Sequence, residues 1–438
     1  MNKIKQVLLL AGDIVGLYLS LALTLLVRYG KITPQLKEAH LWPFSVAFLF
    51  WIAVFYIVGL YEIRFLKRGY LLVENLAAGV LTSLVASLAL FYLVPSFVIS
   101  PKRNLVIFSF FFFIFSLLWR WFFEKNLVTH QKNLLLVGQS QENNELADYF
   151  KKYPQVGYRL AFYLREKKLP SSEKIREIIN QYQIQAIIIA PPKGGRKILR
   201  ILLSQISQGI EIEDSLSACE KFLFKIPLEK IEELWLASIL SRDKSAYEAT
   251  KRPLEFLAAF VLLVFLFPLF VLIALAIKLD SKGPVIYQQK RVGKNNQIFT
   301  LYKFRTMIKE AEKFGPQWAK ENDPRITRVG KILRVSHLDE LPQLINILKG
   351  ELSFVGPRPE RPEFVEKLKE KIPYYQLRHL VKPGVTGWAQ VNYRYASSLK
   401  DTQEKLRYDF FYIKNRSFVL DFLIILKTLK LIFSKPSS

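Results

Sequence analysis

The chain is poor in the residues that brace secreted domains or build metal centres. It has one cysteine, Cys219, in 438 residues, so no intrachain disulfide can form. That suits soluble parts exposed to a reducing cytoplasm, and the lone thiol reads as a small buried side chain. The four histidines, His40, His130, His337 and His379, are scattered and lack metal-ligand spacing. Acidic residues are scarce as well. Only 37 Asp and Glu stand against 63 Lys and Arg, and the resulting charge of +26 calls for an anionic partner. Nucleic acid and an anionic membrane are the two candidates. No internal repeat or low-complexity stretch is present.

Apolar residues are abundant and clustered, and they decide between those partners. Val7–Val27, Trp42–Leu60, Val73–Val94 and Leu105–Phe123 are apolar runs, each long enough to cross a hydrocarbon core of about 30 Å. The first is too long for a signal-peptide core and no small-residue cleavage site follows it. Four crossings return the chain to its starting side. Lys3, Lys5, Arg64, Lys67, Arg68, Arg120, Lys125 and Lys132 fall on one side, against Arg28, Lys31, Lys37, Lys102 and Arg103 on the other. The excess places both ends in the cytoplasm. Asp13 interrupts the first run and is expected to face the helix bundle, paired.

From about Asn133 the pattern changes to β-α-β-α-β-α-β. Strands are expected at 133–137, 159–164, 185–190 and 209–213, with helices between them, the last over 195–208. This order implies a doubly wound parallel sheet. The first turn reads Gly138-Gln139-Ser140-Gln141-Glu142-Asn143 and has one glycine of the three in G-x-G-x-x-G. Without the second glycine the backbone cannot approach a pyrophosphate closely. The domain is therefore read as Rossmann-like in shape and non-catalytic. Tyr247 and Lys251 match a Y-x-x-x-K spacing, which without the glycine fingerprint is read as chance.

Leu254–Ile277 is a fifth apolar run, bounded by Lys251 and Arg252 before it and Lys278 after it. Its length alone suits a fifth crossing. Basic residues at both ends and Pro268 within it point instead to a re-entrant hairpin bent at the proline. Residues 278–438 are strongly basic, with 31 Lys and Arg against 16 Asp and Glu. The closing segment, Ser417–Phe433, suits a membrane interface or packing on its own domain.

Charged residues concentrate between Gln289 and Arg361. They include Lys303 and Arg305 in TLYKFRTM, then Arg325, Arg328, Lys331 and Arg334 in DPRITRVGKILR. Asp339, Glu340, Arg358 and Glu360 follow in HLDELPQLINILKGELSFVGPRPE. Pro342 suits an early helical turn and sets the two carboxylates beside a helix N-terminus. Spacing alone leaves two readings open. One is a phosphate-handling site, and the other is a capped helix beside a basic face on lipid headgroups.

From about Lys251 onward these motifs, with KLDSKGPVIYQQKRVGK, VKPGVTGWAQVN and YDFFYIKNRSFVLDFLIILKT, resemble the bacterial sugar transferases, the monotopic polyprenyl-phosphate phosphoglycosyl transferases. The whole chain is similar to their long form. That implies a membrane protein of α plus α/β class: four transmembrane helices over 1–125, a Rossmann-like domain over 126–245, and a catalytic domain over 246–438 entered through a re-entrant helix at 254–277. The resemblance implies that Asp339 is the nucleophile and Glu340 its partner, with Lys303, Arg334 and Arg358 holding phosphates. Arg325, Arg328 and Glu360 are further candidates from the same stretch.

The implied substrates are a UDP-sugar and polyprenyl (undecaprenyl) phosphate, and the implied product is UMP. The first membrane step of exopolysaccharide, capsule or O-antigen synthesis is the implied setting. Nucleophile and substrates are all anionic, so Mg²⁺ on Asp339 and Glu340 is expected to offset their repulsion. A multi-pass homodimer of the bacterial inner membrane is expected, with its catalytic domain on the cytoplasmic face, in contact with lipid and not nucleic acid. Two residues depart from the family pattern, Phe267 and His337, where smaller members have Ser. The rival readings are an NAD-dependent nucleotide-sugar dehydratase, a non-enzymatic basic membrane scaffold, and a glycosyl transfer that would release UDP.

Overall fold

The computed structural model describes residues 2–61, 69–93, 101–128, 131–165, 172–190, 209–228, 244–308, 323–393 and 398–433. The chain forms two compact units, Met1–Leu223 and Phe224–Ser438.

In the first unit, helices α1 (Asn2–Tyr29), α2 (Pro34–Val58), α3 (Gly69–Leu93) and α4 (Pro101–Phe123) share one core built on Phe44, Trp51, Phe55, Phe108 and Phe112. Each is long and apolar enough to cross a membrane. Helix α2 starts at Pro34, well before the apolar run at Trp42, because Thr33 caps it by accepting from the Leu36 N–H at 3.3 Å. Apolarity marks what faces lipid, whereas the cap marks where the helix begins. A Cβ on Gly12 or Gly16 would lie within 2.2 Å of the Trp119 or Phe115 rings, so these glycines let α1 and α4 close together. Asp13 is paired as expected. Arg120 of α4 meets it with two donors at 2.8 and 2.7 Å, and both side chains are buried.

The same unit holds a four-stranded parallel sheet of β1 (Lys132–Val137), β2 (Tyr158–Leu164), β3 (Ala186–Ile189) and β4 (Glu211–Asp214), in the order β2-β1-β3-β4. Helices α5 (Gln141–Lys152) and α6 (Ser172–Gln181) accompany it. Leu134 and Leu136 enter one core with Phe150, while Leu135 and Val137 enter another with Ile175. Alternate side chains of β1 thus serve opposite faces, which gives the doubly wound arrangement. The helix expected over 195–208 lies outside the described residues. At the first turn Gly138 takes φ +92°. The Asn143 amide donates to the carbonyls of Val137 and Gly138 at 2.9 and 2.8 Å, so a side chain occupies the inside of this turn.

The second unit is organised along one long helix, α7 (Ser245–Asp280). It begins earlier than the apolar run and stays helical through both Pro253 and Pro268, so the proline does not end it. One missing backbone bond is a local cost that the flanking turns can absorb. A stripe of α7 faces the rest of the unit. Lys251, Glu255 and Ala259 are buried near its start, and Ile273 and Ile277 near its end. Between and around them Leu254, Leu257, Phe260, Val264, Phe265 and Leu272 are exposed.

Against that stripe pack a β-hairpin of β5 (Ile286–Val292) and β6 (Ile298–Phe304), then α8 (Arg328–Val335) and α9 (Gln343–Lys349). Ala259 meets Phe299, Leu301 and Ile347 in one cluster, and Ile277 meets Phe304 and Leu333 in the next. Strand β7 (Ser353–Val355) pairs in parallel with β8 (Gly384–Thr386). Helices α10 (Pro362–Lys371), α11 (Leu399–Asn415) and α12 (Phe418–Phe433) complete the unit. Ile226, upstream of α7, lies in the α11 core and its N–H bonds the Arg407 carbonyl at 3.0 Å.

Candidate active site

Asp339 and Glu340 lie in a single 3-10 turn, Leu338–Glu340, between α8 and α9. His337 enters that turn in the left-handed region, φ 56°, which reverses the chain after α8. Pro342 caps α9 immediately afterwards. The carboxylates therefore stand just ahead of the helix rather than within its first turn.

Lys303 arrives from β6. Its ammonium donates to Glu340 Oε1 at 2.7 Å. Arg358 arrives from the loop after β7 and donates to the same oxygen at 3.1 Å. Burial pushes the Glu340 carboxyl up, but the charges of Arg358 and Lys303 and their hydrogen bonds outweigh it and hold the group at about 2. Asp339 goes the other way. Burial raises it, with Lys303 opposing and the Glu340 charge adding. Burial also lowers Lys303, while Glu340 supports its charge. Asp339 has no hydrogen bond or ion pair among the described residues. The dyad thus consists of one clamped carboxylate and one unclamped.

Arg334 is placed by a close helix approach. A Cβ on Gly330 would sit 2.1 Å from the Thr306 carbonyl oxygen, so only glycine lets α8 pack on the chain leaving β6. One turn later Arg334 Nε donates to Thr306 Oγ1 at 2.9 Å, and its charge acts on Asp339. Arg305 secures the end of α7 through the Ser281 carbonyl at 2.8 Å.

The loop carrying Arg358 is pinned at each residue. Arg378 donates to the Arg358 carbonyl at 3.0 Å, Arg291 to that of Pro359 at 2.9 Å, and the Val292 N–H to that of Glu360 at 2.9 Å. Arg378, Arg291 and Asp409 escaped sequence reasoning because their roles depend on burial and long-range contact. The basic runs that drew attention to Arg325 and Arg328 hold different geometry. Arg325 pairs with Asp323 at 2.6 Å, and Arg328 is an exposed first residue of α8. Glu360 stands 3.7 Å from Arg291.

Tyr247 and Lys251 do meet, in a structural anchor. Tyr247 donates to Asp421 at 2.6 Å, and Lys251 pairs with Asp421 at 2.8 Å and bonds the Val355 carbonyl at 3.0 Å. This ties the start of α7 to β7 and α12.

Residues 246–435 match the sequence pattern of the family described as bacterial sugar transferase. Over 210 residues the chain is 44% identical to a UDP-N-acetylgalactosamine-undecaprenyl-phosphate N-acetylgalactosaminephosphotransferase of Aeromonas hydrophila, covering 48% of this chain and 49% of the relative. It is 33% identical over 315 residues to an undecaprenyl-phosphate glucose phosphotransferase of Komagataeibacter xylinus, covering 68% and 58%. With a UDP-glucose:undecaprenyl-phosphate glucose-1-phosphate transferase of Klebsiella pneumoniae the identity is 30% over 321 residues, covering 70% and 69%. The chain spans about half the length of the Aeromonas relative and 58% of the Komagataeibacter one.

Proposed function

The chain belongs to the bacterial sugar transferase family, and from that premise we propose that it moves a sugar 1-phosphate from a UDP-sugar to undecaprenyl phosphate, releasing UMP. The observation that carries this reading is the asymmetric dyad. Glu340 is held by Lys303 and Arg358, and the adjacent Asp339 has no partner among the described residues. An Asp339 carboxylate oxygen attacks the sugar-proximal phosphorus. The bond from that phosphorus to the bridging oxygen breaks, and UMP leaves with that oxygen. The aspartyl sugar-phosphate is a mixed anhydride. An oxygen of undecaprenyl phosphate attacks the same phosphorus, the bond to Asp339 breaks, and the carboxylate is restored. One difficult transfer becomes two easier ones. Lys303, Arg334 and Arg358 supply the cationic surroundings that such anionic reactants need.

The donor set also fits Mg²⁺. Among the described residues both polar contacts of Glu340 fall on Oε1, and Asp339 is uncommitted. Asp339 and Glu340 would hold the ion with diphosphate oxygens, since Mg²⁺ is commonly bound by one or two carboxylates plus substrate phosphates. When bound it would supply further charge neutralisation at the phosphates.

We place the catalytic unit on one leaflet, the cytoplasmic face of the inner membrane. The buried stripe of α7 supports a re-entrant helix. Ala259 and Ile277 both pack on residues of strand β6, whose short length of about 23 Å is less than the roughly 30 Å of a full crossing. The filled first turn of the middle sheet supports a domain without dinucleotide, and we expect the whole protein to be a homodimer.

The test is UMP release from membranes given a panel of UDP-sugars and undecaprenyl phosphate. Asp339→Asn should abolish release, and radiolabelled sugar phosphate should be trapped on Asp339 of the unaltered protein. Normal turnover by Asp339→Asn would overturn the covalent route, and UDP in place of UMP would overturn phosphosugar transfer.

A further inference from the structure

Arg358 reaches Glu340 with a side chain that is 42% exposed, across a 3.1 Å contact. An arm so open to solvent is not fixed by its own packing. Its direction depends on the backbone beneath it, and of the two side chains holding that loop, Arg291 and Arg378, the more deeply buried is Arg378. The Arg378 side chain is 7% exposed and faces Asp409, 2% exposed, at 2.8 Å. Nη2 also donates to the Arg358 carbonyl at 3.0 Å, and Nη1 donates to the Tyr375 hydroxyl at 2.6 Å. Arg378 lies on the 3-10 segment Tyr375–Leu380 and Asp409 on α11, so two separate elements are braced against one carbonyl.

We infer that Arg378 is a positioning residue for the phosphate site: oriented by Asp409 and Tyr375, it fixes the Arg358 backbone and thereby aims the Arg358 guanidinium at the dyad. Stability alone is a weak reason for such a pair, because desolvating two charges largely cancels their attraction. A planar guanidinium can donate to two acceptors in fixed directions while its charge faces Asp409, which a lysine ammonium on a flexible stem does less well. The geometry thus uses a property specific to arginine, at the backbone of a residue that touches the dyad. Arg291 and the Val292 N–H hold the next two carbonyls but leave that of Arg358 to Arg378.

The kinetic part of this inference rests on the transfer proposed above, so the test has two arms. In the full chain, Arg378→Lys should lower kcat/KM for UMP release by about ten- to a hundredfold, as lost supporting contacts commonly do. In an Arg358→Ala background the same change should cost less than about twofold, since its only route to the site is gone. Equal losses in both backgrounds would mean a merely structural role and overturn the inference. The second arm needs no turnover. Hydrogen exchange of the 356–361 backbone should be faster in Arg378→Lys than in the unaltered protein, and unchanged exchange there would also overturn it. If no UDP-sugar yields UMP yet exchange still rises, the transfer reading fails and the positioning geometry stands. Should Arg378→Lys not fold, Tyr375→Phe replaces it. It removes only one acceptor, and its smaller loss should likewise vanish with Arg358→Ala.

Discussion

The ammonium of Lys303 lies 2.7 Å from Glu340 Oε1, joining strand β6 to the turn that carries both carboxylates. Lys303→Met should therefore do more than remove a phosphate contact. Glu340 would lose one of its two cations, and Asp339 would lose the charge that most opposes its rise. Activity should fall on the order of a hundredfold, as for other groups that stabilise charge in a closed site. Steady-state UMP release measures it. Near-normal turnover would show that Lys303 serves structure alone.

The depressed Glu340 carboxyl gives a pH signature. Its folded value of about 2 lies below the unfolded 4.5, so its contribution to stability is fully present above pH 4.5 and is lost as pH falls through about 2. The difference amounts to about 3 kcal/mol. The melting advantage of the unaltered protein over Glu340→Gln should be constant from pH 7 to 5 and should shrink toward pH 3. An advantage that grows on acidification would contradict the ion-pair geometry.

In the helical bundle, Asp13 and Arg120 bury opposite charges between α1 and α4. Arg120→Ala should destabilise the protein by about 3–5 kcal/mol, because an unpaired carboxylate is left behind. Asp13→Asn with Arg120→Gln should recover much of that loss. Thermal unfolding in one detergent compares the three proteins. A single Arg120→Ala within 1 kcal/mol of the unaltered protein, judged against the usual scatter of about 0.5 kcal/mol for surface changes, would argue that the pair is solvated.

The ends of α7 provide a topological prediction. Ser245, the first residue of the helix, and Lys282, just past its end, are exposed. Single cysteines there, with Cys219 removed, should both resist an impermeant thiol reagent in intact cells and both react after lysis. Reaction of the Lys282 position in intact cells would establish a full crossing and sink the one-leaflet arrangement.

The sequence by itself determined much of this protein. The apolar runs, spaced by basic loops, specify helices long enough for a membrane because lipid leaves a backbone no hydrogen-bond partner but itself. The β-α-β order that begins with the apolar run at 133–137 specified a parallel sheet, and Leu134 and Leu135 enter opposite cores of it. Asp339, Glu340, Lys303 and Arg358 were legible as candidates from charge and motif.

Helix ends and side-chain partnerships were less legible. The start of α2 depended on Thr33, a single capping contact that an apolar count cannot register. Pro268 suggested a break, yet α7 continues through it, since proline removes one local bond while packing acts along the whole stripe. Tertiary structure alone decided which cations serve the dyad. Arg325 sits in a conspicuous basic run but is taken up by Asp323 nearby. Arg378 sits in no such run, yet the fold carries it and Asp409 beneath the carbonyl of Arg358. Periodicity reports which face of an element is buried. The residue that will meet it there depends on chain closure over long separations, and only the folded packing fixes that choice.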